Sequence, residues 1–247
     1  MIDPQRIRRC RQLARWTALA LLLAAACNSS AQEVGGEPAL TAEEIIARLH
    51  DANRKRDEQL GGWQVVRRYQ LSNELTKKGS KMEVEVRFQP PSELTFTTRS
   101  QEGSSFLVKQ VFGRMMEGEK ESVQAEARQR SAMSAENYEF RLAGQEKLKG
   151  RPAYKLEVTP KREDTFLIRG HIWVDAEDFA VVRAEGRVVK RPSFWTRTVD
   201  VTRTFKKVGP FWLPDRTESV NEILLFGTTR VALENGDYRV RLSSSAR

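Results

Sequence analysis

The chain has 247 residues, is 39% hydrophobic and 30% charged, and carries a formal net charge of +9. A nucleic-acid partner would call for that charge to be gathered into a basic patch with interleaved aromatics. Here it is spread along the chain and mixed in sign, which excludes nucleic acid and leaves anionic lipid or membrane surfaces compatible.

The N-terminus reads as an export signal. Arg6, Arg8, Arg9, Arg11 and Arg15 precede an apolar run from Trp16 to Ala26, and the small-residue patch Cys27-Asn28-Ser29-Ser30-Ala31 follows. This basic, apolar, small-residue order is that of a secretory signal, and the apolar run is about half the length of a membrane-spanning helix. Export excludes most cytosolic functions. Two cleavage readings stay open. Ser29 and Ala31 suit ordinary signal peptidase, giving a soluble chain from Gln32; Leu23-Ala24-Ala25-Ala26-Cys27 resembles a lipobox, which would acylate Cys27 and anchor the protein to the outer membrane. Removing Met1 to Ala31 takes away five arginines and one aspartate and leaves a net charge of +5. Cys10 leaves with the signal, so no disulfide staples the mature chain. About 215 residues remain, enough for one large core without such help.

A polar linker, 32–39, leads into a helix. Thr41-Ala42-Glu43-Glu44 is a capping box, and Ile45, Ile46, Leu49 and Ala52 then recur at helical spacing up to a stop at Gly61-Gly62. From Trp63 the period becomes two. Met82, Val84, Val86 and Phe88 alternate with Lys81, Glu83, Glu85 and Arg87, the mark of an antiparallel strand with one dry face. Pro90-Pro91 breaks it, and Leu94 and Phe96 resume. Further strands are predicted over Phe106–Lys109, Tyr138–Leu142, Tyr154–Thr159, Thr165–Val174, Phe179–Val189, Thr196–Phe205, Trp212–Glu222, Leu224–Leu233 and Tyr238–Leu242. The segments Asp175–Asp178 and Val208–Pro210 are hairpin turns. Many short strands joined by tight turns predict one curved antiparallel sheet or barrel, spanning residues 40–242 as a single domain. Between Gln110 and Asn137 the alternation stops. Phe112, Met115, Met116 and Val123 fall near one face of a helix, so one or two helices are expected against the mouth or concave face of the sheet, or else as a core-packing helix that closes one side of a filled barrel. Adjacent methionines suit a surface that re-packs around variable apolar partners.

Catalytic signals are missing from the sequence. His50 and His171 lack local partners and read as structural. No His/Cys/Asp cluster has metal-ligand spacing, and there is no nucleophile elbow, P-loop or dinucleotide fingerprint. Asp175, Glu177 and Asp178 cluster at a hairpin tip, where carboxylates usually face water. The expectation is a binding protein without cofactor or metal, rather than an enzyme.

The second half carries a family likeness. Gly150-Arg151-Pro152-Ala153-Tyr154-Lys155-Leu156-Glu157-Val158-Thr159-Pro160 is followed by Gly170-His171-Ile172-Trp173-Val174-Asp175, then by Phe179–Gly186 and Gly209-Pro210-Phe211-Trp212-Leu213-Pro214. This order resembles the outer-membrane lipoprotein-sorting (LolA/LolB-like) superfamily, which includes RseB/MucB-type periplasmic regulators. The resemblance implies a mostly β, α+β fold: a half-open antiparallel barrel wrapped over an N-terminal helix and a mid-chain helical segment. It also implies a periplasmic carrier or acceptor, a monomer, that binds acyl chains of lipids or lipoproteins and meets outer- or inner-membrane envelope proteins. The alternative it implies is an RseB-like stress sensor. The dry-face residues Val84, Val86, Phe96, Phe166, Ile168, Ile172 and Val174, with Phe112, Met115 and Met116 from the helical segment, are the expected cavity lining; the same residues would serve equally as an ordinary core. The other face of strand Thr165–Val174 carries Leu167 and Trp173, so that strand is expected to be covered on both sides.

Overall fold

The structure, a computed structural model, describes residues 40–104, 108–190, 196–224 and 227–244. The export signal, the linker and Cys27 lie outside the described residues.

Helix α1 (Ala42–Gln59) starts at the expected capping box: the Glu44 amide donates to Thr41 Oγ1 at 3.2 Å, and the Thr41 amide donates to Glu44 Oε2 at 2.8 Å. Ala42, Ile45, Ile46 and Leu49 form its buried stripe. The helix does not stop at the glycine pair. It ends at Gln59 and runs straight into β1 (Leu60–Asn73), inside which both glycines lie. Their role is close approach: a Cβ on Gly61 would sit 2.4 Å from the Leu242 carbonyl oxygen.

Ten further strands follow: β2 (Gly79–Gln89), β3 (Glu93–Gly103), β4 (Tyr138–Leu148), β5 (Arg151–Pro160), β6 (Ile168–Asp175), β7 (Val181–Val188), β8 (Thr196–Val208), β9 (Phe211–Ile223), β10 (Gly227–Asn235) and β11 (Arg239–Leu242). They make one antiparallel sheet in the order β3-β2-β1-β10-β9-β8-β7-β6-β5-β4, with β11 pairing the start of β1. The ends, β3 and β4, do not pair with each other, so the sheet is a half-open barrel. One expected strand differs where it is described. The part of Phe106–Lys109 that is described belongs to a π-helical turn (Val108–Gly113), which continues into α2 (Arg114–Ser122) and α3 (Ala125–Ser131).

The inner face of the sheet holds two separate cores. In the first wing, Val65, Tyr69, Leu71, Met82, Val84, Val86, Leu94, Val231 and Leu233 are covered by Phe112 from the π-helical turn, with Met115, Met116 and Val123 around it. Tyr69 and Phe112 meet with ring centroids 5.3 Å apart. In the second wing, Tyr138, Leu156, Val158, Ile172 and Val174 are covered by the α1 stripe. Each fully buried aliphatic side chain is worth roughly 1.5–3 kcal/mol, so the two helical covers contribute much of the stability of the curved sheet.

Trp173 is indeed buried on the outer face of β6, but by protein: Lys155 and Arg183 lie over its ring at 5.0 and 4.8 Å. Leu167, expected on that same face, precedes the strand and is buried with the inner second-wing core. Phe166 likewise lies in the β5–β6 connection rather than in the strand.

Candidate functional site

The candidate site is the middle of the inner face, between the two helical covers. Alternation along each strand fixes what points there. On β9, Thr217, Ser219 and Asn221 share a face with the buried Val231 and Leu233 of β10, through the pairs Leu233↔Thr217 and Val231↔Ser219. On β8 the matching residues are Val199, Val201 and Arg203, and on β7 Ala184 and Gly186. This strip is smaller and more polar than the wings, and among the described residues no hydrophobic core closes over it.

At its border with the first wing lies a charged cluster. Arg67 on β1 follows the inward parity of Val65, Tyr69 and Leu71 and is only 4% exposed. Its Nη1 donates to both carboxylate oxygens of Glu119 on α2, at 2.6 and 2.7 Å, and its Nε donates to Asn235 Oδ1 at 2.7 Å. Burial alone would lower the Arg67 pKa, but Glu119 outweighs it and holds the guanidinium above the ordinary arginine value. Burial pushes the neighbouring Tyr69 phenol up to about 12, so it stays a neutral donor and acceptor. Lys206 donates to the Asn235 and Gly236 carbonyls at 2.7 and 2.8 Å and lies 3.4 Å from Asp215. Tyr238 donates its hydroxyl to the Pro214 carbonyl at 2.7 Å.

Arg203 completes the cluster and differs from its neighbours. Its Nε donates to Thr217 Oγ1 at 3.2 Å, and no carboxylate among the described residues forms an ion pair with it. The side chain reaches water. Protein nevertheless crowds it, and the lost solvation lowers its pKa, with Arg67 adding repulsion and Glu119 working the other way.

The ten expected lining residues are divided by the fold. Val84, Val86 and Phe112 are fully buried in the first wing, with Phe96, Met115 and Met116 half-buried at its border. Ile172 and Val174 are fully buried in the second wing, with Ile168 half-buried beside them. Phe166 is half-buried under Arg130, whose guanidinium lies 5.9 Å from its ring centroid. No single chamber gathers all ten. Sequence reasoning missed Arg67, Glu119, Arg203 and Tyr238. The signal for Arg67 was present, because it breaks an otherwise apolar inward register.

Asp175 is a correction. The hairpin tip does not present it to water: it is 1% exposed, held by Arg151 at 2.6 and 2.8 Å and by the amides of Glu177 and Asp178. Burial works to raise its pKa, but these donors win and hold it below the usual carboxylate range. A 190 Å³ pocket walled by Trp212, Phe205 and Val182 adjoins it on the outer face. A 640 Å³ cleft is bordered by Gln70, Lys81, Glu218 and Arg230 together with the apolar Leu71, Val220 and Val231. Among the described residues no group of His, Cys, Asp and Glu is placed to hold a metal ion, and no helix is long and apolar enough to cross a membrane.

A half-open antiparallel barrel with helices seated on its inner face is thus the class of protein that the strands and their register define. A family model described only as an uncharacterized protein matches residues 126–246. Among solved structures, the chain is similar to a LolA superfamily protein from Nitrosomonas europaea, at 16% identity and a TM-score of 0.40 over 84% of this chain and 97% of that one. It is similar to a domain described as outer membrane lipoprotein-sorting from Vibrio parahaemolyticus, at 15% identity and a TM-score of 0.41 over 83% and 96%. It is similar also to MucB, at 14% identity and a TM-score of 0.29 over 83% and 95%. No curated protein matches the chain by sequence. Likeness this loose transfers neither a residue nor an activity.

Proposed function

We propose that this protein is an exported, periplasmic carrier or acceptor that shields acyl chains of lipids or lipoproteins in outer-membrane lipoprotein sorting, by binding and not by chemistry. The observation that carries the reading is the inner face itself: apolar on both wings, yet covered only by helical segments, with an uncovered strip between them. An acyl chain gains roughly 0.8 kcal/mol for each methylene it removes from water, so a dry concave surface is what a carrier must offer. The half-buried Phe96, Met115 and Met116 of the first wing and Ile168 of the second are the proposed first contacts. The fully buried lining residues would be reached only if a helical cover shifts, and the two thioethers give the first wing side chains that re-pack cheaply.

Gently purified protein extracted for mass spectrometry should yield co-purified lipid, and the protein should take up a fluorescent fatty acid in competition with unlabelled acyl chains. Recovery without lipid together with no uptake would sink the proposal. The intact mass of the mature protein distinguishes a soluble start at Gln32 from an acylated Cys27, and with it a shuttle from a membrane-held acceptor.

A further inference from the structure

We infer that the inner face selects acyl ligands bearing an anionic head group, with Arg203 as the residue that receives the anion. This rests on the carrier reading above and narrows it to a substrate class.

At the border of the uncovered strip, three cations, Arg67, Arg203 and Lys206, face two carboxylates, Glu119 and Asp215. Arg67 takes both oxygens of Glu119, and Lys206 has Asp215 and two backbone carbonyls. Among the described residues, Arg203 is the one cation of these three that forms no ion pair. Its one hydrogen-bond partner among the described residues is Thr217 Oγ1, which occupies only Nε and leaves the guanidinium fork available to a carboxylate or phosphate.

Placement points the same way. Arg203 pairs across the sheet with Thr217 on one side and Ala184 on the other, so its immediate neighbours on the inner face are small. Gly186, opposite Val201, removes a further side chain from the strip. Beyond the small residues lie the apolar wings. A head group at Arg203 would therefore have space around it and dry surface within reach for its chain. A bound anion completes charge-assisted hydrogen bonds from the guanidinium fork, and a neutral ligand of the same length does not.

The test uses the purified protein and two fluorescent probes that differ only in head group: 11-(dansylamino)undecanoic acid and its methyl ester. The acid should bind roughly ten-fold more tightly than the ester, the range expected for a charge-assisted hydrogen bond in a partly desolvated site. Arg203→Gln should bring the two affinities together while leaving the ester within about two-fold of its original value, and Arg203→Lys should restore part of the preference. Arg203 reaches water, so neither substitution opens a core, and circular dichroism checks that both variants fold. Displacement of the acid probe by laurate alone assigns a carboxylate head, and displacement by lysophosphatidylglycerol as well assigns a phosphate. Equal binding of acid and ester by the unaltered protein, or an undiminished preference in Arg203→Gln, overturns the inference while the carrier reading stands. Failure of both probes to bind overturns the two together.

Discussion

Replacing Glu119 with Gln should destabilise the protein far more than an ordinary charge removal, because it strands a cation in the interior. The Arg67 side chain is 5% exposed and that of Glu119 is 27% exposed. Breaking a fully buried pair by removing one member costs about 3–5 kcal/mol. Water reaches one side of Glu119, and Arg67 keeps Asn235 and Tyr69, so the expected cost is about 2–3 kcal/mol. With a urea m-value of roughly 2–3 kcal/mol/M for a domain of this size, the midpoint should fall by about 1 M. The double variant Arg67→Met/Glu119→Leu removes both charges and should recover most of that loss. Urea unfolding followed by circular dichroism closes the cycle, and hydrogen exchange over residues 114–122 reports whether α2 loosens first. A Glu119→Gln cost below about 0.5 kcal/mol, or a double variant equal to the sum of the singles, would refute this account of the pair.

Three other substitutions probe separate parts of the fold. Asp175 has a depressed folded pKa, so its contribution is complete above the unfolded carboxylate value of about 3.9 and disappears as pH falls through the lower folded value. Asp175→Asn should therefore lower stability at pH 6 and flatten its decline between about pH 4 and pH 2, and parallel urea midpoints across that range would contradict the assignment. Thr41→Ala removes the hydroxyl half of the capping box and should cost about 1 kcal/mol, read as a lower thermal midpoint; Thr41→Ser should cost little. Gly170→Ala would set a Cβ 2.2 Å from the Glu185 carbonyl oxygen and 2.6 Å from the Gly186 Cα, forcing β6 and β7 apart. Its cost should be about 1–3 kcal/mol, and a midpoint matching the unaltered protein would show that the sheet yields there more easily than its register implies.

Much of the fold was legible because period-two alternation survives wherever one face is dry. Met82, Val84, Val86 and Phe88 announce β2, and the Thr41–Glu44 capping box announces α1. What failed did so for local reasons. The short apolar run at Phe106–Lys109 shows no alternation, and such a run cannot by itself distinguish strand from helix. Gly61-Gly62 mimics a helix stop but serves the close crossing of β1 with β2 and β11, a contact made by residues distant in sequence. Asp175 looks solvent-facing until the pairing of β5 with β6 brings Arg151 over it. The candidate site was the least legible part. Arg67 and Arg203 each sit at an inward position, but only the assembled sheet shows that one has a carboxylate and the other does not.

The strand pairings of the two wings also differ in when they can form. The strands of the second wing, β4 to β7, are a meander whose neighbours in space are neighbours in sequence, so they pair across short loops even though α1, which covers them, comes from far upstream. The first wing depends on β1 meeting β10, with Arg67 opposite Asn235 across most of the chain. Contacts between distant residues bear a larger closure entropy and come late. The first strand of the chain is thus among the last to meet its β10 neighbour. Until β10 arrives, the alternating apolar face of β1 and β2 is an exposed edge, which makes this wing the one that a folding chaperone would have most reason to hold.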